Sequence, residues 1–280
     1  KEAKGGGLMT YGIAAYKVTP AFCQEEVDYI LSLGGIEVKY EQELGRNITL
    51  DSLQQQYDAV FLAFGVGLAR RLDIPGEELE GVVDAIRFIY ELRNDGYASV
   101  PVGDKVAVIG LGMTAIDAAT QAKRLGAKEV TILYRRTQAE MPCTEVELDI
   151  AKLDGCRVIW LAAPKEVKGE NGKVKSLVAD IMQLGEPDAS GRRSPVPIGE
   201  TMELEVDMII KAAGQMPFTA LVESVELENR GGKINVQEKA DTSLKGVFAG
   251  GDCVNGGKEV VDAVQAGKDG AARIMQYLKM

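Results

Sequence analysis

The chain has 280 residues, of which 46 % are hydrophobic and 26 % charged, so it carries enough apolar mass for one large domain or two modest ones. The net charge is -10, from 32 basic and 42 acidic side chains, which opposes a surface built to track nucleic-acid phosphates. Histidine is absent, which excludes Ser-His-Asp and Cys-His nucleophile systems, His-ligated zinc and His acid–base chemistry.

The longest apolar runs, such as Ala59 to Phe64, fall far short of the ~20 residues that a spanning helix needs. No secretory leader pattern is present. Cys23, Cys143, Cys156 and Cys253 are scattered without a C-x-x-C pair. That spacing argues against a dithiol centre or a disulfide framework, and for packed, reduced thiols in a cytoplasmic protein.

In chain order, Thr19-Pro20 reads as the N-cap and first residue of a helix. Val27, Ile30 and Leu31 share one face of it, and Gly34-Gly35 stops it. Ile36 to Tyr40 alternates apolar and polar and is expected as a short strand. Asp58 to Phe64 is a buried strand closed by Gly65-Val66-Gly67. Val82 to Asn94 has helical spacing, and residues 97–104 form a boundary loop.

A βαβ unit follows: strand Lys105 to Ile109, turn Gly110-Leu-Gly112, helix Thr114 to Leu125 and strand Glu129 to Tyr134. Helix Thr144 to Leu153 and strand Arg157 to Leu161 extend it. Asn171-Gly172 is a type I′ hairpin signal between Lys165–Lys168 and Lys173–Gln183. With a polar loop at Asp188 to Arg193 and a third strand at Thr201 to Val206, this makes an antiparallel meander inserted as a crossover. Asp207 to Ala213 and Gly246 to Ala249 are further buried strands. Glu259 to Leu278 is a long helix with Val260, Val264, Ala271 and Ile274 turned inward. The fold expected is α/β, with residues 97–216 inserted between 1–96 and 217–280.

The strongest chemical signal is Gly110-Leu111-Gly112-Met113-Thr114-Ala115, which follows a strand and opens a helix. The first glycine permits the tight turn, the second lets the backbone approach a pyrophosphate, and the third small residue lets helix and strand pack. The phosphates then meet the positive helix end. An acidic residue at the end of the second strand normally holds a ribose 2′-OH. Here that place is Arg135-Arg136, which suits a 2′-phosphate and favours NADPH over NADH. Gly250-Gly251-Asp252 ends another strand, and the helix beginning near Glu259 points its N-terminus toward the same place, a fitting counter-pole for a reduced flavin. Taken alone, this second motif equally fits an ordinary turn carboxylate.

Several of these stretches match one family. They are Gly6-Gly7-Leu8-Met-Thr-Tyr11-Gly12-Ile13, the Gly110 to Asp117 turn, and Leu133 to Thr137 with Glu140-Met-Pro142. Ala213 to Pro217, Phe248 to Asp252 and Glu259 to Ala263 complete the set. Over essentially its whole length the chain resembles the flavoprotein subunit of glutamate synthase and the flavin part of dihydropyrimidine dehydrogenase.

The resemblance implies two Rossmann-like nucleotide-binding domains. The FAD domain would be residues 1–96 and 217–280, and the NAD(P)H domain 97–216. Leu8 and Lys17 would touch FAD, Ala63 and Gly65 would line its groove, Gly251 and Asp252 would meet its ribityl chain, and Glu259, Val260 and Val261 would lie by its ring. Leu111 to Thr114, Arg135, Arg136, Ala213 and Gly214 would contact NADP. Asp117 is expected at the helix start or the nucleotide turn, in a binding or a structural role. The family's cysteine-rich iron–sulfur domain and first FAD strand–turn–helix do not occur in these residues, so the FAD domain is expected to be truncated.

The activity implied is hydride transfer from NAD(P)H to FAD, with electrons passing to iron–sulfur clusters of a partner that reduces the substrate. Two further readings are open. One is a nucleotide-binding module without flavin. The other is a thioredoxin-reductase-like flavoenzyme, which calls for a C-x-x-C pair.

Overall fold

The computed structural model describes residues 1–67, 69–187 and 193–280. The strands are β1 (Val60–Leu62), β2 (Val82–Asp84), β3 (Lys105–Ile109), β4 (Glu129–Tyr134), β5 (Arg157–Trp160) and β6 (Ala162–Glu170). They continue as β7 (Lys173–Pro187), β8 (Arg193–Glu205), β9 (Met208–Lys211), β10 (Asn229–Arg230), β11 (Lys233–Ile234) and β12 (Val247–Ala249). The helices are α1 (Leu8–Tyr11), α2 (Pro20–Ser32), α3 (Leu50–Gln56), α4 (Ala85–Asn94) and α5 (Met113–Arg124). After these come α6 (Glu145–Leu153), α7 (Thr219–Ser224), α8 (Asp252–Asn255) and α9 (Val260–Leu278).

The chain divides into two compact units. One comprises Gly6–Glu26 and Ala69–Gly214, and the other Lys1–Gly5, Val27–Leu68 and Gln215–Met280. The first takes in more of the chain than 97–216, because residues 6–26 and 69–96 pack with it. Two contacts show why. β2 pairs with β9, and Arg93 of α4 donates to the carbonyls of Met9, Thr10 and Val18 at 2.6–3.0 Å.

In this unit five parallel strands run in the order β2-β9-β3-β4-β5. β3 reads Lys-Val-Ala-Val-Ile and is buried after its first residue, as a central parallel strand covered on both faces must be. The meander β6-β7-β8 is antiparallel and returns the chain to β9. Asn171 and Gly172 both have positive φ, which gives the hairpin its type I′ turn. The polar loop expected at Asp188 to Arg193 falls on 188–192, outside the described residues, and β8 begins at Arg193.

One expectation fails in its details here. Val82–Asp84 is a strand and not the first turn of a helix, and Asp84 then caps α4 by accepting from the N–H groups of Ile86 and Arg87. In α2, Val27 and Leu31 are half-buried, Ile30 is exposed and Cys23 is buried.

In the other unit β1 and β12 pair in parallel, with Val60 opposite Val247 and Leu62 opposite Ala249. Leu50, Val60, Leu62, Val222, Ile234, Val247 and Ala249 form its core. No strand forms at Ile36 to Tyr40, since no described segment pairs with it, and Ile36, Val38 and Tyr40 are exposed. The inward face of α9 also differs from expectation. Val260, Val264 and Ala271 are exposed, while Gly270 lies so close to the Phe61 ring that a Cβ there would stand 2.1 Å from it.

All four cysteines are free and buried. Among the described residues no helix is long and apolar enough to cross a membrane, and no cluster of three metal-ligating side chains occurs.

Candidate functional site

The Gly110 turn lies where the order of strand addition reverses in this parallel sheet. β3 leads through α5 to β4 on one side, while β9 flanks it on the other, so the carboxyl ends of β3 and β9 bound the crevice expected of an open α/β sheet. Ala212 donates its N–H to the Ile109 carbonyl at 2.9 Å, and Gly110 donates to Leu133 at 3.0 Å. Gly110 has φ +118, and a Cβ there would stand 2.4 Å from the Ala212 carbonyl oxygen, so only glycine fits.

Gly112 differs. Its φ is -84 and ψ 176, which any residue can adopt, and the nearest atom to a Cβ would be Pro142 Cγ at 3.9 Å. Its missing side chain therefore leaves open space at the start of α5, where no side chain caps the helix. Ala115 is fully buried against the sheet, the role of the third small residue, and Leu111 is buried beside the turn. Met113 is exposed and Thr114 half-buried at the helix mouth. Ala213 and Gly214, just past β9, are exposed, and Gly214 has φ +86 with nothing within 4 Å of a Cβ position.

The two arginines after β4 part company. Arg135 is exposed. Arg136 is 7 % exposed, and its Nε donates to the Arg193 carbonyl at 3.3 Å. Of the two, Arg135 is the guanidinium left open to solvent.

Asp117, on α5, turns its carboxylate to the segment that follows α1. It is 3 % exposed, with Oδ2 accepting from Ala14 N at 3.1 Å and Oδ1 from the Tyr16 hydroxyl at 3.1 Å. Lys17 Nζ stands 2.7 Å from Oδ1 and 2.5 Å from Glu147 Oε1. Lys17, expected to touch FAD, thus has its ammonium held between two carboxylates of the Gly110 unit. Burial pulls the Lys17 ammonium down, but Asp117 and Glu147 outweigh it and hold it above its usual value. Burial, reinforced by the Asp117 charge, pushes the Tyr16 phenol up to about 12. Leu8, at the start of α1, belongs to the same unit.

Another buried ion pair was not foreseen. Glu77 Oε1 accepts from Lys211 Nζ at 2.7 Å, and its two oxygens take the N–H groups of Leu72 and Asp73 at 3.0 and 2.9 Å. No local pattern marks Glu77 in Ile74-Pro75-Gly76-Glu77. The capping boxes Thr137–Glu140 and Thr144–Glu147 did carry a readable signal, a threonine followed by glutamate three residues on.

In the other unit, the carboxyl ends of β1 and β12 bring Ala63 and Gly65 to the same edge as Gly251 and Asp252. Gly250 donates to the Leu62 carbonyl at 3.1 Å. Gly65 and Gly251 have φ +74 and +73 with open space where a Cβ would be. Asp252 is half-buried, and its Oδ1 accepts from Lys258 N at 3.1 Å. Glu259 precedes α9 and donates its N–H to Asp262 at 3.2 Å, while Val260 and Val261 are exposed.

A sequence profile described as pyridine nucleotide-disulphide oxidoreductase matches residues 5–267. The chain is 37 % identical over 279 residues to the NADP(+)-dependent formate dehydrogenase subunit beta of Moorella thermoacetica, a match covering 98 % of this chain and 39 % of that protein. It is 35 % identical over 291 residues to a putative glutamate synthase [NADPH] small chain of Cereibacter sphaeroides, covering 98 % of this chain and 69 % of that protein. Mycobacterium tuberculosis FprA, solved in complex with NADPH, superposes with a TM-score of 0.75 at 20 % identity, over 99 % of this chain and 76 % of that one, which shows a shared α/β fold. The chain spans about two fifths of the length of the beta-subunit relatives that it matches.

Proposed function

Since the chain belongs to the pyridine nucleotide-disulphide oxidoreductase family and is kin to the glutamate synthase small chains, we propose that it is the nucleotide-binding part of an NADPH-dependent flavoprotein oxidoreductase. The observation that carries this is the Gly110–Gly112 turn at the β3/β9 crevice, with a glycine-made opening at an uncapped helix N-terminus.

The residues present fit NADPH. Backbone N–H groups at the start of α5 and the helix dipole would hold the pyrophosphate. Gly112 lets the backbone come close to it, and the exposed Arg135 would take the 2′-phosphate. Leu111, Met113 and Thr114 would flank the turn, with Ala213 and Gly214 bounding the far side. NADH would fill the same crevice without the Arg135 contact.

The glycine-lined edge of the other unit fits FAD. Ala63, Gly65 and Gly251 would leave room for it, Asp252 would accept from its ribityl hydroxyls, and Glu259 to Val261 would border the ring. When both are bound, the two cofactors supply hydride transfer between them. No general base is needed for that exchange, which accords with a chain lacking histidine.

The names of the relatives, subunits beta and small chains, support a partner subunit; in this reading that partner carries iron–sulfur clusters, accepts the electrons and reduces the substrate. Four free thiols support a reducing, cytoplasmic setting.

An absorbance titration tests the reading. The chain is mixed with FAD and then with NADPH or NADH. The expected result is a flavin band that bleaches faster with NADPH than with NADH, the difference shrinking in Arg135→Ala. Saturable NADPH binding without flavin uptake would instead mark a nucleotide module alone. Binding of neither nucleotide sinks the proposal.

A further inference from the structure

The opening at Gly112 has a wall, and a residue far away in sequence holds that wall in place. Pro142 Cγ is the atom that a Cβ on Gly112 would meet first, at 3.9 Å. Cys143, the next residue, donates its N–H to the Leu111 carbonyl at 3.2 Å, inside the turn itself. Thr144 then caps α6, and Glu147 closes the capping box by accepting from the Thr144 N–H and hydroxyl, both at 3.0 Å.

Two ties join α5 to α6, about two helical turns apart. Near the turn, Lys17 Nζ stands 2.7 Å from Asp117 Oδ1 on α5 and 2.5 Å from Glu147 Oε1 on α6. At the end of α5, Arg124 Nε donates to Asp154 Oδ2, just past α6, at 2.7 Å. The near tie is buried, with side-chain exposures of 4 % and 12 % for its carboxylates, whereas Arg124 is open to solvent.

The charges make the near tie depend on Lys17. Two carboxylates share its single nitrogen, so without the ammonium two buried like charges would face each other and push α5 and α6 apart. Ala14 and Tyr16 would still hold Asp117, and Thr144 would still hold Glu147, which keeps each carboxylate in place. The strain would pass to Pro142, which lies between the Leu111 bond and the α6 cap. Asp117 is only about 6 Å along the helix axis from the first residue of α5. A shift at the tie is therefore felt at the phosphate approach.

We propose that Lys17 is a positioning residue for the dinucleotide: it holds α6, and with it Pro142, at the width that lets a pyrophosphate pass Gly112 and reach the α5 N–H groups. The assignment rests on the nucleotide reading of this unit. Lys17 itself touches no ligand. The group served is the pyrophosphate, so NADPH and NADH depend on Lys17 alike, and the 2′-phosphate contact of Arg135 does not.

Titration calorimetry on the 280-residue chain tests this with NADPH, NADH and adenosine 2′-monophosphate, which carries no pyrophosphate. Circular dichroism first checks that each variant is folded at the titration temperature. Lys17→Met is expected to weaken both dinucleotides by the same factor, about tenfold, and to leave the monophosphate unchanged. Lys17→Arg, which keeps the charge, should restore most of the affinity. Glu147→Gln keeps the capping box but removes one side of the tie, and should weaken both dinucleotides by a smaller factor. Asp154→Asn cuts only the far tie, so it should lower the urea midpoint and leave all three ligands at wild-type affinity.

Wild-type affinity for the dinucleotides in folded Lys17→Met would overturn the assignment while keeping the nucleotide reading. Should Lys17→Met not fold, wild-type affinity in Glu147→Gln overturns it in the same way. A loss in Asp154→Asn as large as that in Lys17→Met would also overturn it, since any loosening of the helix pair would then suffice. So would an equal loss of the monophosphate in Lys17→Met, which would mark long-range charge and not the width of the approach. If the unaltered chain binds neither dinucleotide, the nucleotide reading falls and this assignment with it.

Discussion

Lys17 sits between Asp117 and Glu147 because three separate segments deliver those charges: the loop after α1, the middle of α5 and the first turn of α6. Asp117→Ala would leave the Ala14 N–H without its acceptor and Lys17 with a single partner. Breaking one side of so buried a pair is expected to cost about 2–4 kcal/mol, read from urea unfolding.

The pH dependence has two limbs. Burial pushes the Glu147 and Glu77 carboxyls up, but Lys17 with Thr144, and Lys211 with the Leu72 and Asp73 N–H groups, hold them below the usual 4.5. The folded state then binds fewer protons than the unfolded one, so this stability is complete above 4.5 and drains away as pH falls through the lowered values. Lys17 has the opposite sign. Its contribution is complete below 10.5 and is lost as pH rises through its raised value. The urea midpoint is therefore expected to hold between about pH 5 and 10 and to fall at both ends, with a shallower acid limb in Glu77→Gln. None of these three-segment contacts is visible in a linear pattern. A lysine and an aspartate a hundred residues apart give no sign of meeting.

Among the elements, those with local signals were the legible ones. The β3–turn–α5–β4 run, the Asn171-Gly172 hairpin and the threonine-capped helix α6 all follow from residues close in sequence. β2 did not, because its three residues share the apolar spacing of the helix that follows, and the partner that makes it a strand is β9, far down the chain. Ile36 to Tyr40 failed the opposite way: alternation marks a strand only when another strand pairs with it. Apolar spacing does not reveal the inward face of α9, because a glycine, not a large apolar residue, marks its contact with Phe61.

The two glycines of the turn give a paired test of structure against function. Gly110→Ala meets both a positive φ and a carbonyl at 2.4 Å, and is expected to lose at least ~2 kcal/mol by thermal unfolding. Gly112→Ala meets neither obstacle, so its unfolding should change by less than about 1 kcal/mol. Its NADPH affinity should nonetheless fall about tenfold or more, because the new methyl fills the phosphate approach.

For the molecule as a whole, the α/β class and the nucleotide-type turn at Gly110 were readable from local residues, whereas the Gly250-Gly251-Asp252 strand end took its reading from the family resemblance. The division between the units was not. Residues 6–26 and 69–96 pack with the Gly110 unit although they precede it in sequence, since the hydrogen bonds of Arg93 and the β2–β9 pairing override chain order.

The place of β9 in that sheet has a consequence for how the unit comes into being. Val82 must find Ile209 and Val106 must find Met208, while β3 and β4 meet through a single intervening helix. Pairings so distant form slowly, because the loop must close before the contact rewards it. β2 and the near edge of β3 stay bare through synthesis until the hairpin at Asn171-Gly172 has folded and β9 has emerged behind it. The strand that joins β2 to β3 thus arrives last of the five. Since the Ala212 carbonyl beneath Gly110 arrives with it, the proposed dinucleotide cleft gains its β9 wall only once this strand has joined the sheet.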